Sequence, residues 1–282
     1  MYHLKTKNHR GDMLDFDRCT DYTVYKIDGL TPPKVNINKA ENTIMDGSFI
    51  NSARVGSRNI VIYMMLEGVI ENSRIALYRY FPLKKTVTVY VRNGMRDVHT
   101  EGVVESIECD LFAEKQAAQI SIVCPDSYFK GKENVVSGFS ETSDGFEFPF
   151  AIPKEGIEFS TLNSSERKVI VNTGDADTGL VIRLYAHGGS VENPVVYNVL
   201  EKNFIKLNMT MQQSDLVTIN SNTGKKSVML TRSGVTVNAM GYLSPDSTWP
   251  VLAAGDNVFA YDAQGKEYLQ LTFENEVLYS GV

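Results

Sequence analysis

The chain has 282 residues, 43% of them hydrophobic and 10% aromatic, with a net charge of −6, which gives room for two cores rather than one. No run approaches the ~20 apolar residues of a membrane helix; the longest, Ile60–Leu66, is of strand length. The charge is uneven, with 18 Lys/Arg against 17 Asp/Glu through Glu133 and 10 against 17 beyond it, and an acidic second half argues against a nucleic-acid binder, whose affinity rests on clustered cations.

The opening residues MYHLKTKNHRGDMLDF lack the apolar core of a secretory signal, so synthesis and retention in a cytoplasm, or packing into a particle from there, is expected. Tyr22 to Ile27 reads as a strand ending in Asp28-Gly29, and Thr31-Pro32-Pro33 forces an extended segment before alternation resumes at Val35. Ser48 to Val55 fits a loop or a long hairpin arm, and Asn59 to Leu66 is the strongest strand of this half. Glu71 to Phe81 is the one convincing helix, with Asn72 or Ser73 as its cap and Ile75, Leu77, Tyr78 and Phe81 on its apolar side. Val87, Val89 and Val91 alternate again up to Asn93-Gly94, the dipeptide a type I′ hairpin turn prefers because both central residues need φ > 0. Strands over Gly102–Cys109 and Gln119–Cys124 follow, closed by Pro125. Cys19, Cys109 and Cys124 form no C-x-x-C pair and no even set, so buried free thiols are expected rather than zinc or disulfides.

Between Asp126 and Pro153 the composition turns to Lys, Gly, Ser, Asp and Glu, which reads as an interdomain connection pinned by Phe146, Phe148 and Phe150. Beyond it Lys168–Leu200 holds two apolar strands around a Gly/Asp turn, the second with Leu180, Ile182, Leu184 and Ala186 on one face. Pro194 belongs at a strand start or edge because it has no N–H. Short strands at Phe204–Met209, Asp215–Asn220, Ser227–Thr231, Asn257–Tyr261 and Tyr268–Phe273 then alternate with Gly-containing turns, the pattern of a β-sandwich.

Within this pattern stand Asn172, Gly174, Asp175, Thr178 and Gly179, then Asn193-Pro194, then Ser247, Trp249, Leu252, Gly255 and Asn257. The first half adds Gly29-Leu30 with Pro32-Pro33, Asp46-Gly47-Ser48 and Arg58-Asn59-Ile60. In this order and spacing, over most of the chain, they resemble the siphophage distal tail proteins. The resemblance implies an all-β chain: a ring-forming split-barrel or β-sandwich domain with one helix at 1–130, a linker at 131–150 and a galectin-like sandwich at 151–282. It also implies a homohexameric ring at the tail tip or baseplate that joins the tail tube to the hub and host-adsorption apparatus and lets DNA pass. Its partners would be copies of itself, the tail tube protein, the tape-measure protein, the tail-associated hub or lysin and a receptor-binding protein, all in a virion assembled in host cytoplasm. In ring-shaped members of the family, hairpin arms such as Ser48–Val55 lie against neighbours.

Chemistry has little support beside this. His187-Gly188-Gly189 has the letters of an esterase oxyanion loop, but no G-x-S-x-G elbow accompanies it. The remaining histidines form no metal-ligand spacing. Asp175 and Asp177 begin like a calcium loop, yet Ala186 stands where its bidentate acid should be. No P-loop or G-x-G-x-x-G occurs. The expectation is therefore a protein without catalytic residues, metal or cofactor. The alternative is a free-standing carbohydrate-binding sandwich, with Arg183, Tyr185 and His187 sharing one face. Trp249, the single Trp, is expected in the core.

Overall fold

A computed structural model describes residues 2–41, 47–144, 160–164 and 167–282. The chain divides into two compact units, Met1–Lys132 together with Leu278–Val282, and Glu133–Val277. Both are built of antiparallel strands, and the first carries the α-helix.

In the first unit the strands are β1 (His3–Asn8), β2 (Met13–Asp15), β3 (Tyr22–Asp28), β4 (Val35–Glu41), β5 (Ser48–Val55), β6 (Arg58–Leu66), β7 (Thr86–Arg92), β8 (Asp97–Cys109), β9 (Ala117–Cys124) and β10 (Phe129–Gly131), with helix α1 (Ile70–Tyr80) between β6 and β7. One sheet runs β2-β1-β7-β8-β9-β6-β3, and β10 adds to β8. Strand β8 serves both halves of it, pairing β7 through Asp97–Val103 and β9 through Val103–Cys109, with a register shift between Val104 and Ser106. Such an irregularity bends a strand and raises its twist. Gly102 sits beside the bend because a Cβ there would come within 2.6 Å of Ile122. Alternation puts Ile60, Ile62, Met64 and Leu66 of β6 in the core with Val87, Val89, Val91, Ile120 and Ile122.

The helix buries a narrower stripe than its sequence indicates. Leu77 and Phe81 are fully buried, whereas Ile75 and Tyr78 are more than a third exposed. Neither Asn72 nor Ser73 caps it: the cap position is Val69, and Ser73 lies one turn inside, its hydroxyl donating to Glu67 O at 2.9 Å. The β7–β8 hairpin forms, but its turn differs from the expected type. Neither Asn93 nor Gly94 has positive φ. Instead the Asn93 side chain accepts the amides of Met95 and Arg96 at 2.8 and 2.7 Å, so a side-chain-capped turn replaces the left-handed pair.

Among the described residues, strands β4 and β5 pair only with each other. Residues 35–39 and 48–54 are exposed throughout, including Val35, Ile37, Phe49 and Ile50. A two-stranded ribbon with no core face gains little stability by itself.

The second unit contains β11 (Val135–Gly138), β12 (Ser140–Asp144), β13 (Ser160–Ser164), β14 (Arg167–Asn172), β15 (Thr178–Ala186), β16 (Val191–Asn198), β17 (Asn203–Lys206), β18 (Thr210–Met211), β19 (Leu216–Asn220), β20 (Ser227–Arg232), β21 (Val235–Asn238), β22 (Val251–Leu252), β23 (Gly255–Gln264) and β24 (Leu269–Asn275). Two sheets, β11-β24-β15-β19-β20-β21 and β14-β23-β16-β17, share one core. Leu180, Ile182, Leu184, Val217, Ile219 and Phe273 supply it from the first sheet, Ile170, Val196, Ile205 and Phe259 from the second, which is a sandwich.

Two boundaries differ from the composition-based ones. Val135–Gly138 pairs with β24, so residues that read as linker are a strand of the second unit. Phe146, Phe148 and Phe150 lie outside the described residues, as does Asp46. Strand β25 (Leu278–Tyr279) pairs with β10, which returns the chain to the first unit.

Candidate functional site

In the second unit part of the motif set meets at one junction. Asn172 occupies an inward position at the end of β14 and is 2% exposed. Its amide donates to Ala176 O at 3.0 Å and Leu252 O at 3.2 Å, and its carbonyl oxygen accepts Gly174 N at 3.0 Å. Asp177 accepts Ala254 N at 3.1 Å, and Asn257 closes the facing loop by accepting Ala253 N and donating to Ala253 O and Gly255 O. Thr178 and Gly179 pair with Leu252 and Val251. Gly179 is required by closeness, since a Cβ would lie 2.5 Å from Asn222 Cα. Ser221 fastens the same place by donating to Pro250 O at 2.7 Å while accepting Leu180 N at 2.9 Å.

The other motif residues of this unit stand outside the junction. Asn193 takes φ 50°, which an asparagine tolerates, at the irregularity where β16 leaves register with β23. Its N–H donates to Met209 O, and Pro194 O accepts Leu207 N. Ser247 accepts Lys206 N at 3.0 Å, and Trp249 packs partly buried against the core with Lys226 Nζ 5.6 Å from its ring centre. Asp175 belongs to the turn between β14 and β15. The side chains of Asn172, Asp177, Ser247 and Asn257 are thus directed at backbone groups, an arrangement that fixes loops.

Of the residues that could serve sugar or ester chemistry, Arg183 has an ion-pair partner, while Tyr185 and His187 are exposed. Arg183 and Tyr185 share the outward face of β15, but Arg183 pairs with Glu274 at 2.6 Å. Beyond the strand end His187 N donates to Tyr268 O, and Gly188 and Gly189 lie under the Tyr268 ring, with Cβ positions 2.9 and 2.7 Å from it. The Gly pair is explained by that ring. Among the described residues no group of three His, Cys, Asp or Glu could hold a metal ion, and Cys124 is buried, its thiol pushed up to about 11 by loss of water.

The first unit contains the residue that spacing alone undersold. Arg58 is the first residue of β6, in phase with Ile60, Ile62, Met64 and Leu66, and is 2% exposed. Its Nε and Nη2 donate to Ser127 O at 3.2 and 3.0 Å, Nη1 to Gly29 O and, at 2.9 Å, to Thr31 O, and Nη2 to Ser280 O at 2.6 Å. These use all five guanidinium N–H groups. The guanidinium lies 4.1 Å above the Phe129 ring. Burial lowers its pKa from the usual arginine value, yet the group stays charged at any ordinary pH. An arginine in phase with a run of core residues is the signal in the sequence that marks it.

Residues 173–276 match the family model described as siphovirus-type tail component, C-terminal domain. The crystal structure of the SPP1 Dit (gp 19.1) protein, described as a paradigm of the hub adsorption apparatus in phages infecting Gram-positive bacteria, is similar with a TM-score of 0.68 at 12% identity, over 96% of this chain and 98% of that one. A chain of the phage P2 baseplate in its activated conformation with calcium is similar with a TM-score of 0.53 at 10% identity, over the whole of both chains. The phage p2 baseplate with strontium gives 0.50 at 10% identity over 98% of each. At such identities the likeness is one of fold. No curated protein sequence matches the chain.

Proposed function

We propose, from a chain that carries the C-terminal domain of the siphovirus-type tail components and resembles siphophage distal tail proteins over nearly its whole length, that it is a structural protein of a phage tail tip. Six copies form a ring that connects the tail tube to the hub and host-adsorption apparatus, with an opening through which DNA passes. The observation that carries this reading is the family match at 173–276, in a chain whose fold follows SPP1 Dit over 98% of that chain. The β4–β5 arm supports it, because exposed Phe49 and Ile50 suit burial against another copy. Contacts of the first unit build the ring, and the second unit is a galectin-like sandwich whose motif residues hold loops. Partners are the tail tube protein, the tape-measure protein, the hub or lysin and a receptor-binding protein, and the place of action is the virion.

Labelling the chain in intact particles and imaging them by electron microscopy tests the reading. Label confined to the junction of tube and tip is expected. Label along the tube or on the head, or turnover of peptidoglycan or esters by pure protein that His187→Ala abolishes, would overturn it.

A further inference from the structure

The five residues that follow the second unit in the chain complete the first, and they do so at the root of the β4–β5 arm. On the way into the arm, Gly29 O and Thr31 O accept from Arg58, Leu30 O accepts Val282 N at 3.0 Å, and Gly281 lies against Leu30 O and Pro32 with a Cβ position 3.1 Å from each. On the way out, Arg58 itself opens β6, three residues after β5 ends. The same guanidinium holds Ser280 O at 2.6 Å. Tyr279 pairs with Phe129, lies 4.5 Å under the Arg96 guanidinium and packs on the core, while Arg96 donates to Gly281 O. Both roots of the arm and the returning segment thus share one buried cation.

We propose that Leu278–Val282 is a latch that sets the root and direction of the β4–β5 arm, so that assembly through the arm depends on a segment synthesised only after the second unit. This rests on the arm's role in the proposed function. The physical reason is that the arm has no core of its own; its orientation comes from its root, and the root has three backbone segments held by one side chain. Without the returning segment, Arg58 loses its Ser280 acceptor and Leu30 O loses its donor. The root then samples orientations in which exposed Phe49 and Ile50 no longer hold one direction.

The test uses full-length variants and two readouts. Gly281→Ala places a methyl group against Leu30 O and Pro32, and Arg58→Lys reduces five donors to three. Hydrogen exchange of residues 29–35 and 55–58 in dilute protein reports the root, exchange in β15 and β19 reports the second unit, and electron microscopy of concentrated protein counts rings. Root exchange about tenfold faster, unchanged β15 and β19, and rings appearing only at about tenfold higher concentration are expected. Should Arg58→Lys fail to fold, Gly281→Ala alone decides. Wild-type root exchange in the variants, or loosened roots with rings at the wild-type concentration, would overturn the latch. A Phe49→Ser/Ile50→Ser chain that still forms rings would instead overturn the arm's part in the proposed function.

Discussion

Arg58 stands where alternation along β6 calls for an apolar side chain, and it is tolerated there because four backbone carbonyl positions converge on it. Burying a charge without such acceptors would be very costly; with them, the cost moves to any substitution. Arg58→Met should therefore leave the carbonyls of Gly29, Thr31, Ser127 and Ser280 without donors and lower stability by about 3 kcal/mol or more, read from a shifted denaturant midpoint. Asp215 makes the corresponding lock in the second unit: it is 1% exposed, takes Arg232 through both oxygens at 2.6–3.2 Å and accepts Gln212 N at 2.7 Å. The hydrogen bond from Arg232, aided by the Gln212 amide, lowers its pKa. A depressed carboxylate stabilises the fold above its unfolded value and loses that contribution as pH falls through the folded one. The second unit should thus weaken below about pH 4, and Asp215→Asn should flatten that acid limb while lowering the midpoint at pH 7. Glycines divide in the same way. Gly179→Ala forces a methyl against Asn222 and should cost about 1–3 kcal/mol, whereas Gly94→Val, at an open position without positive φ, should change stability by less than about 0.5 kcal/mol. Asn172, Asn193 and Gly179 stand out in the sequence through the family resemblance and carry residue types that loops need. The acceptors of Arg58 do not stand out there, since Ser127 lies 69 and Ser280 222 residues away and nothing local encodes such pairings.

At the scale of elements, period-2 runs were legible wherever a strand has one buried face, as in β6, β7 and β15. The turn after β7 departs from the type I′ expectation because Asn-Gly can build a hairpin either through positive φ or, as here, through the asparagine side chain. Val135–Gly138 falls within the stretch Asp126–Pro153 whose composition reads as a linker, and its pairing with β24 makes it a strand. The helix showed four apolar candidates, but a helix lying on a curved sheet needs just the Leu77–Phe81 line. The arm is the element whose sequence and surroundings disagree, since Val35, Ile37, Phe49 and Ile50 face water. Phe49→Ser with Ile50→Ser should leave monomer unfolding within about 0.5 kcal/mol of wild type while weakening self-association at least about tenfold, measured by sedimentation of the two chains across concentration. Equal association of both chains would place the contact elsewhere.

For the whole molecule, the topology is one unit inserted between two pieces of another, and the inserted unit holds most of the motif residues while the interrupted one holds the arm. Charge follows the same division, near balance up to Glu133 and acidic beyond it. A repeated head-to-tail contact closes when its rotation divides the circle, and in the proposed function the arm is the part of the first unit that makes such a contact. The proposed function, with the number taken from the family resemblance, requires a closed ring of six copies joined by the first unit. Electron microscopy of the concentrated protein, resolved far enough to trace its contacts, measures this directly: six copies joined through residues before Glu133 are predicted, and any other number, or six copies joined only through residues after Pro153, would contradict it.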